Sequence, residues 1–416
     1  MSLKKRVVVT GMGMVSPIGN NVEESWNAAK KGECGIDEIT QFDASMTAVS
    51  LAAEVKDFHP EEHLEKKSLR KMDRFVQFAM VAADEALAQA GEFPDKSKVG
   101  TIVSSGIGGL RVIEKEQDHG REAGFRRISP YFIPMAISNM AAGQIAIAHG
   151  LTGLSTCVVT ACASGTNAIG EAFLKIRDGY LSACVCGGTE ASITPLALGG
   201  FASMKALCTG TDKERASIPF DKERHGFVMG EGAGILVLEE YEHAKARGAH
   251  ILGEMVGYGT NCDAYHITAP LPDGSGAAEC MKLAISDAGI TPENIGYINA
   301  HGTSTPLNDL GETKAVKLVF GEETKVPISS TKSMTGHLLG ASGAVEAIFC
   351  LKALEDQYLP ATIHYKVPDE ECNLDVIPNQ GREADVTYAL SNSLGFGGHN
   401  ATLIMKRWEE DGNAVR

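Results

Sequence analysis

The chain has 416 residues, more than one simple core usually holds, and its 44% hydrophobic and 22% charged content is that of a globular protein with two domains or one large duplicated unit. A formal net charge of −15, from 38 basic and 53 acidic residues, repels a polyanion such as DNA at long range and argues against a nucleic-acid partner. The ten cysteines contain no C-x-x-C pair, which points to a reducing compartment, and no apolar run reaches the ~18–20 residues that cross a bilayer, so no membrane insertion is expected.

The opening stretch MSLKKRVVVTG has no signal-peptide core and runs into a buried strand, RVVVTG, so a cytoplasmic protein is expected. KKSLRKMDR then gathers Lys66, Lys67, Arg70, Lys71 and Arg74, on composition alone a solvated helix face. KMDRFVQFAMVAADEALAQAG repeats apolar residues at three and four and stops at Gly91, which predicts a helix. VGTIVSS, TCVVTA, ACVCGG and GILVLEE read as buried strands, with SGTNAIGEAFLKIRDG a helix after TCVVTA.

After about residue 250 the pattern restarts. ILGEMVGYG, IGYINA and VPISS are strands that alternate with helices at GAAECMKLAISDAG, LNDLGETKAVKLVFG and GASGAVEAIFCLKALED, and VTYALSNS and NATLIMKRW form a last pair of strands. The alternation predicts βαβ units and a mostly parallel sheet in an α/β protein whose halves are 1–250 and 251–416, although no clear internal sequence repeat marks them. Polar stretches at 113–130, 209–226 and 259–275 are expected as surface excursions.

Glycine clusters invite a nucleotide reading that fails on inspection. GMGMVS lacks the last glycine at Ser16, GIGGLR lacks it at Arg111, and GEGAGI lacks it at Ile235, so the close phosphate approach is missing. No phosphate-cradling loop, H-E-x-x-H, zinc-like cysteine spacing or G-x-S-x-G is present, so no metal is expected and a serine hydrolase is disfavoured.

VVTACASGTNAIG carries the strongest chemical signal. The strand TCVVTA delivers Cys162 to a corner before a helix, where the positive end of the helix dipole favours a thiolate, and Ala161, Ala163 and Gly165 leave room for a substrate. A buried structural cysteine is the alternative. His301 follows the strand IGYIN, and His337 follows VPISS and precedes a helix; strand ends of parallel α/β sheets are where ligands bind.

The motifs VVTACASGTNAIGEA, GGTEA, PFDKERHGFVMGEGAG, NAHGTSTPLND, STKSMTGHLLGASGAVEA and NSLGFGGHNA, in this order, resemble the β-ketoacyl-[acyl-carrier-protein] synthases, and the chain is most similar to the bacterial type II elongating condensing enzymes. The resemblance runs nearly end to end. It implies a thiolase-like fold with duplicated halves in a five-layered α-β-α-β-α arrangement, a homodimer, and decarboxylative condensation of an acyl chain with malonyl-carrier.

It further implies roles for single residues. Cys162 is the nucleophile, and the backbone N–H groups of Cys162 and Phe396 form the oxyanion hole. His301 and His337 are neutral donors to the enolate left by loss of CO2, and Lys332 and Glu346 are an ion pair that orients the site. Thr303 and Thr305 match residues that bind the pantetheine arm, Ile107 a residue lining the acyl tunnel, and Phe396 the gate between acyl and malonyl pockets. His399, with Leu394 a departure from many relatives, is read as structural. No resident cofactor is implied, since phosphopantetheine arrives on the acyl carrier protein. Lys66, Lys67, Arg70, Lys71, Arg126, Arg127 and Lys205 are the expected dock for that acidic carrier.

Two other readings are weighed. A thiolase or initiating synthase would use a second cysteine or a Cys-His-Asn set, and His337 stands where the asparagine would. A non-catalytic partner subunit would lack the cysteine.

Overall fold

The computed structural model describes residues 4–409; the first three residues of MSLKKRVVVTG and the end of the expected half 251–416 lie outside the described residues. Ten strands form one continuous sheet. In chain order they are β1 (Val7–Val15), β2 (Val99–Ser104), β3 (Ser155–Thr156), β4 (Ala183–Glu190), β5 (Gly232–Glu240), β6 (Gly253–Cys262), β7 (Ile295–Asn299), β8 (Ile328–Ser329), β9 (Tyr388–Gly395) and β10 (His399–Lys406). The long helices are α1 (Arg74–Ala90), α2 (Met140–His149), α3 (Ser164–Arg177), α4 (Ser275–Ala288), α5 (Pro306–Phe320) and α6 (Ser342–Asp356).

Strand order exposes a duplication that the residues hide. From the middle outward, one side of the sheet runs β1-β5-β4-β2-β3 and the other β6-β10-β9-β7-β8, so each strand is matched by the one five places later. Directions match too: β1–β5 and β5–β4 are antiparallel while β4–β2 and β2–β3 are parallel, and β6–β10, β10–β9, β9–β7 and β7–β8 repeat this. The halves join where Val7–Val9 pairs antiparallel with Gly253–Met255. The sheet is therefore mixed, and the expected mostly parallel sheet is corrected. The last strand of each half lies antiparallel between its first strand and its three mutually parallel outer strands, and only those outer strands are joined by helical crossovers.

Helices complete five layers. α3 and α6 pack against each other and lie between the two half-sheets, α1 and α2 cover the outer face of the first, and α4, with α5 beside it, covers the second. Strands buried on both faces explain the unbroken apolar runs. On β5, Leu236 and Leu238 face the middle layer, while Ala233, Ile235 and Val237 face α1. On β4, Cys184 and Cys186 face inward and Ala183 and Val185 outward. The apolar pair of α3, Ile169 and Phe173, meets Ile348 and Phe349 of α6 in the same central cluster. This is the five-layered arrangement of duplicated halves that the resemblance implies. Among the described residues no helix is long and apolar enough to cross a membrane.

One further expectation is corrected, and the surface excursions gain detail. TCVVTA is not a strand beyond Thr156: the Val158 amide donates to the Ser104 hydroxyl at 3.0 Å instead of to a ladder carbonyl, and Ala161–Ala163 is a 3-10 turn. The excursion at 113–130 is mostly helix, Leu110–Ala123, closed by the Ser129 amide donating to buried Glu116 at 2.9 Å. The stretch 209–226 is tied down by Asp221, which accepts from Arg215 and from the amides of Glu223, Lys366 and Val367. In 259–275, β6 continues to Cys262 before the chain turns.

Candidate active site

Cys162 sits in the 3-10 turn that leads into α3. The corner is fixed by Ser164, whose hydroxyl donates to the Ala161 carbonyl at 2.6 Å and accepts from the Thr160 amide at 2.9 Å. Ala161 holds a left-handed backbone, φ +52°, a strained state for a residue with a Cβ. Leu339, φ +47°, occupies the equivalent turn before α6, and Ser304, φ +70°, lies beside Thr303. Three loops around one site thus carry non-glycine residues in sparsely populated conformations.

The thiol is buried, and burial pushes it up to about 12, against the downward pull of the Lys332 charge and of the backbone amides of Phe396 and Cys162, with Glu190 adding to the rise. Burial thus works against the thiolate that the helix start was expected to favour.

His301 lies two residues beyond β7 and His337 in the loop between β8 and α6, their rings edge to face at a centroid distance of 5.2 Å. Each loop is pinned through its backbone. Glu312 of α5 accepts from the amides of His301 at 2.9 Å and Gly302 at 2.8 Å, while the His337 amide donates to Val228 at 2.7 Å. His337 Nδ1 lies 2.9 Å from the Ser342 hydroxyl, and Phe227 packs edge-on to its ring at 5.2 Å. Both imidazoles are driven well below the ordinary histidine value, first by burial and then by the Lys332 charge, with His337 a further cause for His301.

Lys332 is itself buried and donates to Glu346 of α6. Burial raises the Glu346 carboxyl to about 7 although Lys332 opposes the rise. Cys162, His301 and His337 open together onto one cavity of about 360 Å³, whose walls also include Phe201, Phe227, Thr303, Thr305 and Phe396.

A thiol and two imidazoles thus face one small cavity. The β-ketoacyl synthase N-terminal domain matches residues 4–244 and the β-ketoacyl synthase C-terminal domain residues 252–366. The chain belongs to the β-ketoacyl synthase family.

A 3-oxoacyl-[acyl-carrier-protein] synthase 2 of Staphylococcus aureus (strain N315) is 53% identical over 413 residues, 98% of this chain and 100% of that protein. Among solved structures, a β-ketoacyl synthase from Burkholderia phymatum superposes with a TM-score of 0.90 at 35% identity, covering 97% of this chain and 100% of that one. A type II polyketide ketosynthase in complex with its acyl-carrier protein gives 0.91 at 35% identity, over 97% of this chain and 100% of that one. The chain is a condensing enzyme, an acyltransferase.

Other residues singled out in this β-ketoacyl synthase fall at varied distances from the thiol. Thr303 and Thr305 line the cavity with their hydroxyls 2.9 Å apart; Thr305 occupies the N-cap position of α5 but makes no side-chain cap bond. Phe396 sits in the turn between β9 and β10, tilted against Phe201 at 6.2 Å. Ile107 is outside the cavity wall and packs on the apolar cluster that contains Cys162 and Leu198. Lys66, Lys67, Arg70, Lys71, Arg126, Arg127 and Lys205 are all exposed, with Lys71 over the Tyr131 ring at 5.3 Å and Lys205 on the cavity wall. Arg74 is half-buried and pairs with fully buried Glu231 at 2.8 Å.

Sequence reasoning missed two buried carboxylates, Glu312 and Glu190. Glu190 lies in the matched motif GGTEA, and Glu312 sits one helical turn past Asp309 on α5; only their burial marks them. Burial raises the Glu312 carboxyl to about 7.

The glycine turn has no room to spare. A Cβ on Gly395 would lie 2.8 Å from the Thr160 carbonyl and 3.3 Å from the amides of Cys162 and Ala163. Gly395→Ala is expected to displace the Phe396 amide and lower turnover on the order of 10²-fold, the effect of losing one oxyanion donor. Steady-state kinetics beside an unchanged circular-dichroism spectrum tests this.

Proposed function

We propose that this enzyme is a 3-oxoacyl-[acyl-carrier-protein] synthase that extends a fatty acyl chain by two carbons through an acyl-enzyme on Cys162. The observation that carries the reading is the convergence of Cys162, His301 and His337 on one cavity. The Cys162 sulfur attacks the carbonyl of an acyl thioester on the carrier. The oxyanion faces the amides of Cys162 and Phe396, and the carrier thiol leaves with the proton.

Malonyl-carrier follows. Loss of CO2 from its carboxylate leaves an enolate, whose oxygen accepts from His301 and His337. For His337 to donate from Nε2, its Nδ1 accepts from the Ser342 hydroxyl, the partner at 2.9 Å. The enolate carbon attacks the acyl carbonyl. The Cys162 thiolate leaves and takes up one proton, and the 3-ketoacyl product departs on the carrier. Burial, and after it the Lys332 charge, holds the imidazoles neutral, and Glu346 pairs with Lys332. Thr303 and Thr305 hold the pantetheine arm, Ile107 borders the acyl chain, and Phe396 gates the pockets. The exposed basic residues Lys66, Lys67, Arg70, Lys71, Arg126, Arg127 and Lys205 dock the acidic carrier. A carrier complex of a related ketosynthase supports this partner.

In this reading the protein is cytoplasmic and homodimeric, with halves 1–250 and 251–416. Exposed Ile133, Ile137, Ile147 and Val159, near edge strand β3, support an apolar face for the second copy. Supplying malonyl-carrier with either acyl-carrier or acetyl-CoA tests the function. Ketoacyl-carrier formed from the acyl-carrier primer supports it, and product from acetyl-CoA alone would contradict it.

The neutral histidines give a pH prediction. Their folded values lie well below 6.5, so malonyl decarboxylation is expected to stay level as the pH falls through 6.5 and to decline only at lower pH, where the imidazoles gain protons. Removing the cation raises both imidazoles, so the acid limb moves to higher pH in a Lys332→Met, Glu346→Gln double variant, which leaves no unpaired buried charge. A pH–rate profile of CO2 release from malonyl-carrier checks both statements.

A further inference from the structure

Glu190 is a fully buried carboxylate at the end of β4 that none of the steps above uses. Five donors converge on it. Oε1 accepts from the hydroxyls of Ser105 at 3.0 Å and Ser192 at 3.0 Å and from the Ile107 amide at 3.3 Å, and Oε2 accepts from the amides of Gly106 at 2.8 Å and Gly340 at 3.0 Å. The Ser105 hydroxyl also accepts from the Gly108 amide at 2.9 Å, so the carboxylate reaches one residue further along the same loop.

The duplication gives this cluster a meaning. Gly106 is the second residue past β2, as His301 is the second past the matching strand β7. Glu312 holds the amides of His301 and Gly302, and Glu190 holds those of Gly106 and Ile107. Gly340 corresponds to Cys162, each following the left-handed residue of the turn that starts the central helix. In each half a buried carboxylate thus clamps the loop past the second strand, Glu190 from the end of β4 and Glu312 from the non-equivalent helix α5, and in one half that loop carries His301.

We infer that Glu190 is a positioning residue that sets acyl-chain selectivity by clamping the loop 105–108, which carries Ile107, onto the turn at Gly340. The inference rests on the acyl-enzyme reading, in which Ile107 borders the chain. The fit around the clamp is tight: a Cβ on Gly340 would lie 2.3 Å from the Gly106 amide, and one on Gly106 would lie 2.9 Å from Glu190 Oε2. The other side of the loop is equally close, since a Cβ on Gly109 would lie 2.1 Å from the Met135 carbonyl. Any movement of Ile107 to admit a longer chain has to work against these contacts.

Ser105 and Ser192 make the test sharp, because each donates one hydroxyl to the same oxygen but only Ser105 continues into the loop. The full-length enzyme is assayed with a series of acyl-carriers from short to long chains. Ser105→Ala is expected to change the ratio of kcat/KM between long and short chains by about three- to tenfold, the effect of one lost hydrogen bond, while Ser192→Ala changes it less than about twofold. Glu190→Gln, if it folds, is expected to shift the ratio in the same direction and further. Equal losses at every chain length in Ser105→Ala, or the same profile in both serine variants, would overturn the clamp. Ile107→Ala separates the layers. A profile altered by Ile107→Ala but not by Ser105→Ala overturns the clamp alone; a profile altered by neither overturns the reading of Ile107 and the clamp with it.

Discussion

Cys162→Ala is expected to abolish acyl-enzyme formation and to reduce condensation on the order of 10⁴-fold or more, the scale seen when a nucleophile that acts with its partners is removed. The loss follows from geometry, because among the described residues no second thiol lines the cavity. Stability should change little, since the substitution removes one sulfur from a small apolar cluster and leaves the Ser164 bonds that hold the corner. CO2 release from malonyl-carrier should persist, because the imidazoles do not depend on the thiol for their placement: the His301 amide is held by Glu312 and that of His337 by Val228. Product formation and CO2 release, measured side by side, read both outcomes.

His301→Ala is the second large effect, a loss on the order of 10²–10³-fold in malonyl decarboxylation, with transfer of the acyl chain to Cys162 retained. Among the described residues its imidazole Nδ1 has no partner, so removing the ring leaves none of their buried groups newly unpaired. His337→Ala should show a similar kinetic loss but also lower stability, because it deprives the Ser342 hydroxyl of its partner and Phe227 of its edge contact. Single-turnover acylation and steady-state CO2 release, with thermal melts of each variant, separate these effects.

Much of this site was legible because its chemistry lies in short motifs. Cys162, His301 and His337 each stand at a chain corner among small residues, and the sequence carries that pattern openly. Sheet direction was not legible. An apolar run such as GILVLEE looks the same in a parallel or an antiparallel strand when both faces are covered. The strand read into TCVVTA failed for a related reason: its β-branched residues satisfy the pattern, but the Ser104 hydroxyl takes the Val158 amide and the ladder stops.

The burial of Cys162 was not legible, because a helix start is local whereas burial is not. Residues from both halves of the chain close over the sulfur, and none of them is near it in sequence. Likewise the duplication is plain in strand order yet absent from the residues. Equivalent positions hold different residues, Cys162 against Gly340 and His301 against Gly106. The carboxylates Glu190 and Glu312 bind backbone amides, which every residue possesses, so no side-chain pattern announces their partners.

The most direct measurement is the mass of the Cys162 peptide after the enzyme meets an acyl-carrier alone, without malonyl-carrier. The account predicts that this peptide gains the mass of one acyl group and that the gain disappears when malonyl-carrier is added. An unmodified Cys162 peptide in enzyme that still yields ketoacyl product, or an acyl group carried on another residue, would contradict it.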